Sequence, residues 1–248
     1  MEKDKKPIID LLSDTHSRHG EFECKGGDIL LHSGDVSSRG SDQEILNFIN
    51  WFEIQPYHHK VFIPGNHDWS LERNFAYWKD ECSKRGITLL NDSGIIIESM
   101  FDPNLNLKIW GSPVQPWFHS WAFNRARTEA EATHVHPWIK PHWDLIAPDT
   151  EILLTHGPPM GILDEVTRVN GDGSGIHAGC EELYKHIQNS QIKLHVFGHI
   201  HEGRGFVYER ETTYVNASSL DRMYCPADKK PIRVTREVFQ DGSIGYVL

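Results

Sequence analysis

Five short apolar runs, each broken off by a polar group carrying Asp, His or Asn, set the strongest limit on how this chain folds. Ile8–Leu12 runs into Ser13-Asp14-Thr15-His16, Ile29–Leu31 into Ser33-Gly34-Asp35, and Val61–Ile63 into Gly65-Asn66-His67-Asp68. Ile152–Leu154 is followed by Thr155-His156-Gly157, and Leu194–Phe197 by Gly198-His199-Ile200-His201. Runs this short suit strands buried on both faces. Ligands of α/β sheets bind just beyond the carboxyl ends of strands. Five strands from distant parts of the chain are therefore expected to bring oxygen and nitrogen donors to one edge.

Further strands are expected at Ile95–Ile97, Leu107–Trp110, Phe206–Tyr208, Tyr214–Val215 and Ile232–Thr235. Helical patterns cover about Asp42–Glu53, Asn74–Arg85, Ser120–Ala132 and Gly179–Asn189. Alternation of strand and helix reads as α/β. At 248 residues with 38% hydrophobic content, the chain fits one domain over 1–248, with a helical, aromatic insertion at about 113–143.

The formal net charge is −10 and no long basic block occurs, so no stable nucleic-acid complex is expected. No apolar run is long enough to span a bilayer. The charged start Met1-Glu-Lys-Asp-Lys-Lys-Pro7 does not read as a secretory leader, so a cytoplasmic protein without a membrane partner is expected. Cys24, Cys82, Cys180 and Cys225 form no CxxC pair and read as reduced thiols. In that compartment Asn216-Ala217-Ser218 is not a glycosylation site.

As metal ligands, Asp14, Asp35, Asn66, His16, His156, His199 and His201 offer mixed oxygen and nitrogen donors without thiolate. That chemistry suits Mn, Fe, Zn or Co. Asp14 and His16, like His199 and His201, are one residue apart and can point to the same side of an extended strand end. Seven ligands exceed one tetrahedral ion and suit two, with one carboxylate bridging. Two divalent ions against two carboxylates and one hydroxide leave a positive surplus, so an acidic protein can hold an anionic phosphate ester. Metal-bound water ionises near neutral pH, and paired ions clamp attacking and departing oxygens. His67 is then free to protonate the leaving alkoxide, with Asp68 placed to orient its ring.

The five blocks, in this order over residues 14 to 201, resemble the calcineurin-like metallophosphoesterase family, whose pattern is D-x-H, GD, GNH-D/E, a lone H and GHxH. The resemblance implies a four-layer αββα sandwich of two mixed β-sheets flanked by helices. It implies one ion on Asp14, His16, Asp35 and His201, another on Asp35, Asn66, His156 and His199, and His67 as general acid. Leu154-Thr-His-Gly-Pro-Pro159, Trp110-Gly-Ser-Pro113, His177-Ala-Gly-Cys180 and Gly198-His-Ile-His-Glu-Gly203 are similar to the branch named for fetal brain protein 239, associated with phosphodiester and cyclic-nucleotide hydrolysis. One departure is Ser38, where many of the phosphatases have an acidic residue. The function expected is a phosphodiesterase of cyclic nucleotides or similar small diesters, using a metal-bridging hydroxide. The alternatives are a phosphomonoesterase (nucleotidase or protein phosphatase) and a low-activity metal- or nucleotide-binding scaffold.

Other residues admit two readings. Arg39 is either a phosphate contact or a solvated loop charge. Trp69 is the aromatic favoured as pocket lining. His177 either reaches the substrate or bonds to nearby backbone. Gly171-Asp-Gly-Ser-Gly175 reads as a turn, since it follows no strand and carries no Lys-Ser/Thr. Trp117, Phe118, Trp121, Trp138 and Trp143 read first as a covering helix with its aromatic side inward. The alternative is a stacking surface for a nucleobase.

Overall fold

Along β1 (Ile8–Leu12), Ile9 and Leu11 leave into one core and Leu12 into another. The strand must therefore be covered on both faces. The computed structural model, which describes residues 6–98, 106–167 and 175–248, shows how. After β1 come β2 (Gly27–His32), helix α1 (Asp42–Glu53), β3 (Tyr57–Phe62), α2 (Trp69–Arg73), α3 (Phe75–Ser83) and β4 (Ile87–Leu89). Then follow β5 (Ser93–Ile97), β6 (Leu107–Ser112), short strands β7 (Gln115–Pro116) and β8 (Asn124–Arg125), α4 (Lys140–Trp143) and β9 (Ile152–Thr155). The last part holds a hairpin of β10 (Glu165–Val166) and β11 (Ile176–His177), α5 (Glu181–Gln188), β12 (Leu194–Phe197) and β13 (Gly205–Glu209). β14 (Thr212–Asn216), β15 (Ile232–Val238) and β16 (Ile244–Val247) complete it.

Two six-stranded sheets result, ordered β16-β15-β1-β2-β3-β4 and β13-β14-β12-β9-β6-β5. β1 to β4 are parallel, as are β6, β9, β12 and β14, and the antiparallel strands lie toward the edges. Ile9, Leu11, Ile29, Leu31 and Val61 of the first sheet meet Ile109, Ile152, Leu154, Val196 and Val215 of the second in an apolar core. On the outer face of the first sheet Leu12, Leu30 and Phe62 pack on Phe48 and Phe52 of α1. On the other side Leu153, Phe197 and Tyr214 pack on Leu183 and Ile187 of α5. This is the expected αββα sandwich.

The Asp42–Glu53 helix forms with the bounds expected. Ser41 caps it: its hydroxyl accepts from Glu44 N at 3.3 Å while the Glu44 carboxylate accepts from Ser41 N at 3.0 Å. The expected helix over 120–132 does not form. β8 occupies 124–125, and only a single tight turn stands at 129–131. Its backbone donors are claimed elsewhere: Ala122 N by Asn66 O, Phe123 N by Glu72, and Ala126 N by Pro137 O. Tertiary hydrogen bonds thus override a sequence whose aromatic and Asn residues favour the helix only weakly. Most of Gly171–Gly175 lies outside the described residues. Among those described, no helix is long and apolar enough to cross a membrane.

Candidate metal centre

The five motif strands are divided between the sheets: β1, β2 and β3 in the first, β9 and β12 in the second. Their carboxyl ends nevertheless converge, and the chain turns sharply after β1, β2 and β12. Asp14, His16, Asp35 and His199 all adopt positive φ, at 52°, 40°, 54° and 68°. Asp and His enter that region more readily than most side chains, though still uncommonly, and four such residues here cluster at the strand ends. Two glycines let the turns cross: a Cβ on Gly65 would overlap Asp35, and one on Gly198 would overlap the Asp14 carboxylate.

The donor atoms form a chain of close approaches. His201 Nε2 lies 3.4 Å from Asp14 Oδ1 and 3.3 Å from His16 Nε2. Asp35 Oδ2 is 3.7 Å from His16 Nε2, 3.4 Å from His156 Nε2 and 3.9 Å from His67 Nε2. Asn66 Oδ1 is 2.8 Å from His156 Nε2. Asp35 Oδ1 is occupied, accepting from His67 N at 2.8 Å, so Oδ2 is the oxygen turned toward all three imidazoles. Asp14 accepts from His199 N at 3.1 and 3.0 Å and from Ser218 Oγ at 3.1 Å. The His199 ring itself packs 5.0 Å from the His156 ring. Asp14, His16 and His201 form one tight donor group; Asp14, Asp35 and His156 form another; His16, Asp35 and His67 form a third.

Whether a cation fits follows from the tautomers. His201 Nδ1 donates to Asp221 O at 2.9 Å, and His156 Nδ1 donates to Ser33 O at 3.0 Å. In the neutral rings each Nε2 is then a lone pair facing other acceptors, an arrangement that needs positive charge among them. Without metal, protons serve. Burial alone would lower His156, but Asp35 raises it to about 9. Burial likewise opposes protonation of His201, and the hydrogen bond to Asp14 raises it to about 9. Burial would raise Asp14 and Asp35, yet His201 for Asp14 and His156 for Asp35 hold both below the usual carboxylate range. Burial lowers His16, and takes His199 down to about 3, so both offer neutral nitrogens. The pocket is built for buried cations.

Residues 8–203 match the calcineurin-like phosphoesterase family. The chain belongs to that family. This phosphoesterase is also similar to metallophosphoesterase domain-containing protein 1 of Homo sapiens and of Mus musculus. Each is 35% identical over 232 residues, covering 88% of this chain and 67% of theirs. A probable rhamnogalacturonate lyase C of Emericella nidulans is 32% identical over 200 residues, but only 17% of that protein is covered. Among solved structures, phosphopantetheinyl hydrolase (PptH) from Mycobacterium tuberculosis superposes with a TM-score of 0.55 at 13% identity, covering 98% of this chain and 96% of that one. TT1561 of Thermus thermophilus also scores 0.55, at 15% identity, covering 92% and 98%. These two likenesses concern the fold. The phosphoesterase is a metal-dependent phosphoester hydrolase, and its family binds two divalent ions.

Within the phosphoesterase, one expectation about the helper residues needs correction. Asp68 does not orient His67. Its carboxylate is buried and accepts from Gly65 N, Val36 N, Ser37 N and Ser37 Oγ, at 2.8, 3.2, 3.0 and 2.5 Å. It ties the loop of Asp35 to that of Asn66, and burial together with the nearby Asp35 charge pushes it up to about 6. The Ser38 carbonyl holds the His67 ring instead. Trp69 packs onto the α1 core, with the Arg73 guanidinium 5.3 Å from its ring. The aromatic against His67 is Trp121, with ring centroids 4.2 Å apart.

Arg39 is exposed, and its backbone N donates to Glu44 at 3.2 Å. His177 is also exposed and bonds not to backbone but to the buried Asp164 carboxylate, 2.7 Å from its Nδ1, which raises its pKa. Its hairpin packs beside His201–Gly203, with Thr167 donating to Glu202 at 3.2 Å. Sequence patterns give Tyr224 no role. Its ring sits 5.0 Å from that of His16 and 5.3 Å from that of His201, on a loop 23 residues beyond the last motif that no spacing connects to the site.

Proposed function

We propose that this phosphoesterase is a phosphodiesterase of cyclic nucleotides or similar small diesters. In this reading Asp14, His16, Asp35 and His201 hold one ion, and Asp35, Asn66, His156 and His199 hold the other. The observation that carries it is the convergence on Asp35 Oδ2 of His16, His67 and His156 Nε2. A carboxylate oxygen so surrounded suits a bridge between two ions. Manganese, iron, zinc and cobalt all accept this donor set.

When bound, the ions supply Lewis acidity and a water ionised near neutral pH. The chain's residues do the rest. Asp14 and Asp35 cancel half the charge of two divalent ions, leaving a positive surplus that suits an anionic phosphate ester. His67 projects Nε2 toward the centre while Nδ1–H is anchored on Ser38 O at 2.7 Å. That ring is placed to give a proton at Nε2 to the departing oxygen. Arg39, on the same loop as Ser38, is available to the phosphate; His177 is the further substrate-contact candidate.

The test is metal analysis followed by a rate panel with each metal: bis-p-nitrophenyl phosphate, 2′,3′- and 3′,5′-cyclic nucleotides, and nucleoside monophosphates. Faster turnover of diesters is expected. Preference for monoesters would make the chain a phosphomonoesterase, and no turnover by the metal-loaded protein would leave a binding scaffold.

A further inference from the structure

The loop from Asp221 to Cys225 does two things at the metal centre. Its Asp221 carbonyl accepts the Nδ1–H of His201 at 2.9 Å, and three residues later the Tyr224 ring lies edge-on to both His16 and His201. The loop is stiff. Asp221 Oδ1 accepts from Met223 N at 2.8 Å and Cys225 N at 2.9 Å, and Asp221 N donates to Cys225 O at 2.7 Å. The Arg18 guanidinium, itself braced by Glu21 at 2.7 and 2.9 Å, donates to the Tyr224 carbonyl. Tyr224 stands at φ 58°, a conformation that a bulky side chain takes only under constraint, and such outliers gather at ligand sites. Held this firmly, the ring is still 46% exposed.

The rings form a row: Trp121 on His67 at 4.2 Å, His67 on His16 at 4.7 Å, His16 on Tyr224 at 5.0 Å. Trp121 thus flanks the ring of His67, and Tyr224 flanks those of His16 and His201. A bare phosphate needs no such wall. A rigid, half-exposed ring beside the donors is suited to a flat organic group.

We propose that Tyr224 is a specificity-determining residue whose ring contacts an aromatic substituent of the phosphate ester at the His16–His201 side of the centre. The inference rests on the phosphoesterase reading of that centre and names the class of ester it selects. The ring, not the hydroxyl, makes the contact, and the loop's hold on His201 is a separate task of Asp221.

The test compares phenylphosphonate with methylphosphonate binding to the metal-loaded protein by calorimetry, which needs no turnover. The wild type is expected to prefer the phenyl compound by about fivefold or more, within the range that stacking on an aromatic side chain supplies. Y224F should keep that preference. Y224A should cut it at least threefold while retaining the wild-type metal content, and should raise KM for bis-p-nitrophenyl phosphate with kcat within about twofold. An unchanged phenyl preference in Y224A would overturn the inference, as would an equal loss for both phosphonates or the same loss in Y224F. If the metal-loaded wild type binds neither phosphonate and cleaves no ester, the reading of the centre itself fails; if it cleaves esters without phenyl preference, only the role of Tyr224 fails.

Discussion

The Ser38 carbonyl accepts a hydrogen bond from His67 Nδ1 at 2.7 Å, and this contact aims the opposite nitrogen into the metal centre. A serine at position 38 makes this easy to miss, because the contact uses its backbone. Its hydroxyl donates elsewhere, to His16 O at 2.7 Å. The loop carrying Asp35 thus orients both a proposed ligand and the proposed acid.

If His67 protonates the leaving oxygen, His67→Ala should slow hydrolysis of an alkyl-leaving-group diester by about 10²–10³-fold. Loss on a p-nitrophenyl ester should be much smaller, since that phenolate leaves without a proton. Metal content should stay at the wild-type level. Equal losses on both esters would remove the acid role.

Asp35→Asn keeps the shape of the side chain but removes the negative charge at the oxygen facing His16, His67 and His156. Metal content measured after gel filtration should drop by at least about one ion per chain, with a loss of activity of about 10³-fold or more. Two retained ions would show that Asp35 is not the bridge.

Asp68→Asn replaces one acceptor oxygen with an NH2 group in a buried cluster of backbone N–H donors. Leaving such donors unmatched costs about 1–3 kcal/mol each. A loss of about 2–4 kcal/mol in denaturant unfolding is expected, with a lower Tm. Since Asp68 does not touch the His67 ring, the pH profile of the remaining activity should keep its shape.

Acid should act against the metal-free fold through its buried, lowered histidines, His19 and His195 among them. Burial lowers His19 to about 4 and His195 to about 3. The unfolded chain takes up these protons near pH 6.5, the native state only below those values. Their contribution is therefore complete above pH 6.5 and lost as pH falls toward 4 and then 3. His156 and His201, both raised to about 9, and Asp68, raised to about 6, work the other way between pH 7 and pH 5, because the native state takes up their protons before the unfolded chain does. Between pH 7 and pH 5 His19→Gln should lose less unfolding stability than the wild type, read as denaturant midpoints at the two pH values. An equal fall in His19→Gln and in the wild type would contradict the buried, neutral state of His19.

By itself the sequence determined the layered α/β fold and the donor set, since short apolar runs closed by Asp, His and Asn are local patterns. A strand's period and its terminal turn are set within a few residues, so β1, β2, β3, β9 and β12 were legible. Their division between two sheets was not, because pairing joins residues such as Ile9 and Val234 across most of the chain. The 120–132 segment misled for the same reason: its backbone partners are Asn66, Glu72 and Pro137, none of them local. Asp68 carries a motif position whose four donors are supplied by other parts of the two motif loops. Tyr224 carries no motif at all, and only the path of the Asp221–Cys225 loop brings its ring to His16 and His201. Donor chemistry is written in residue types and spacing; orientation and the walls of the site arise where distant segments pack together.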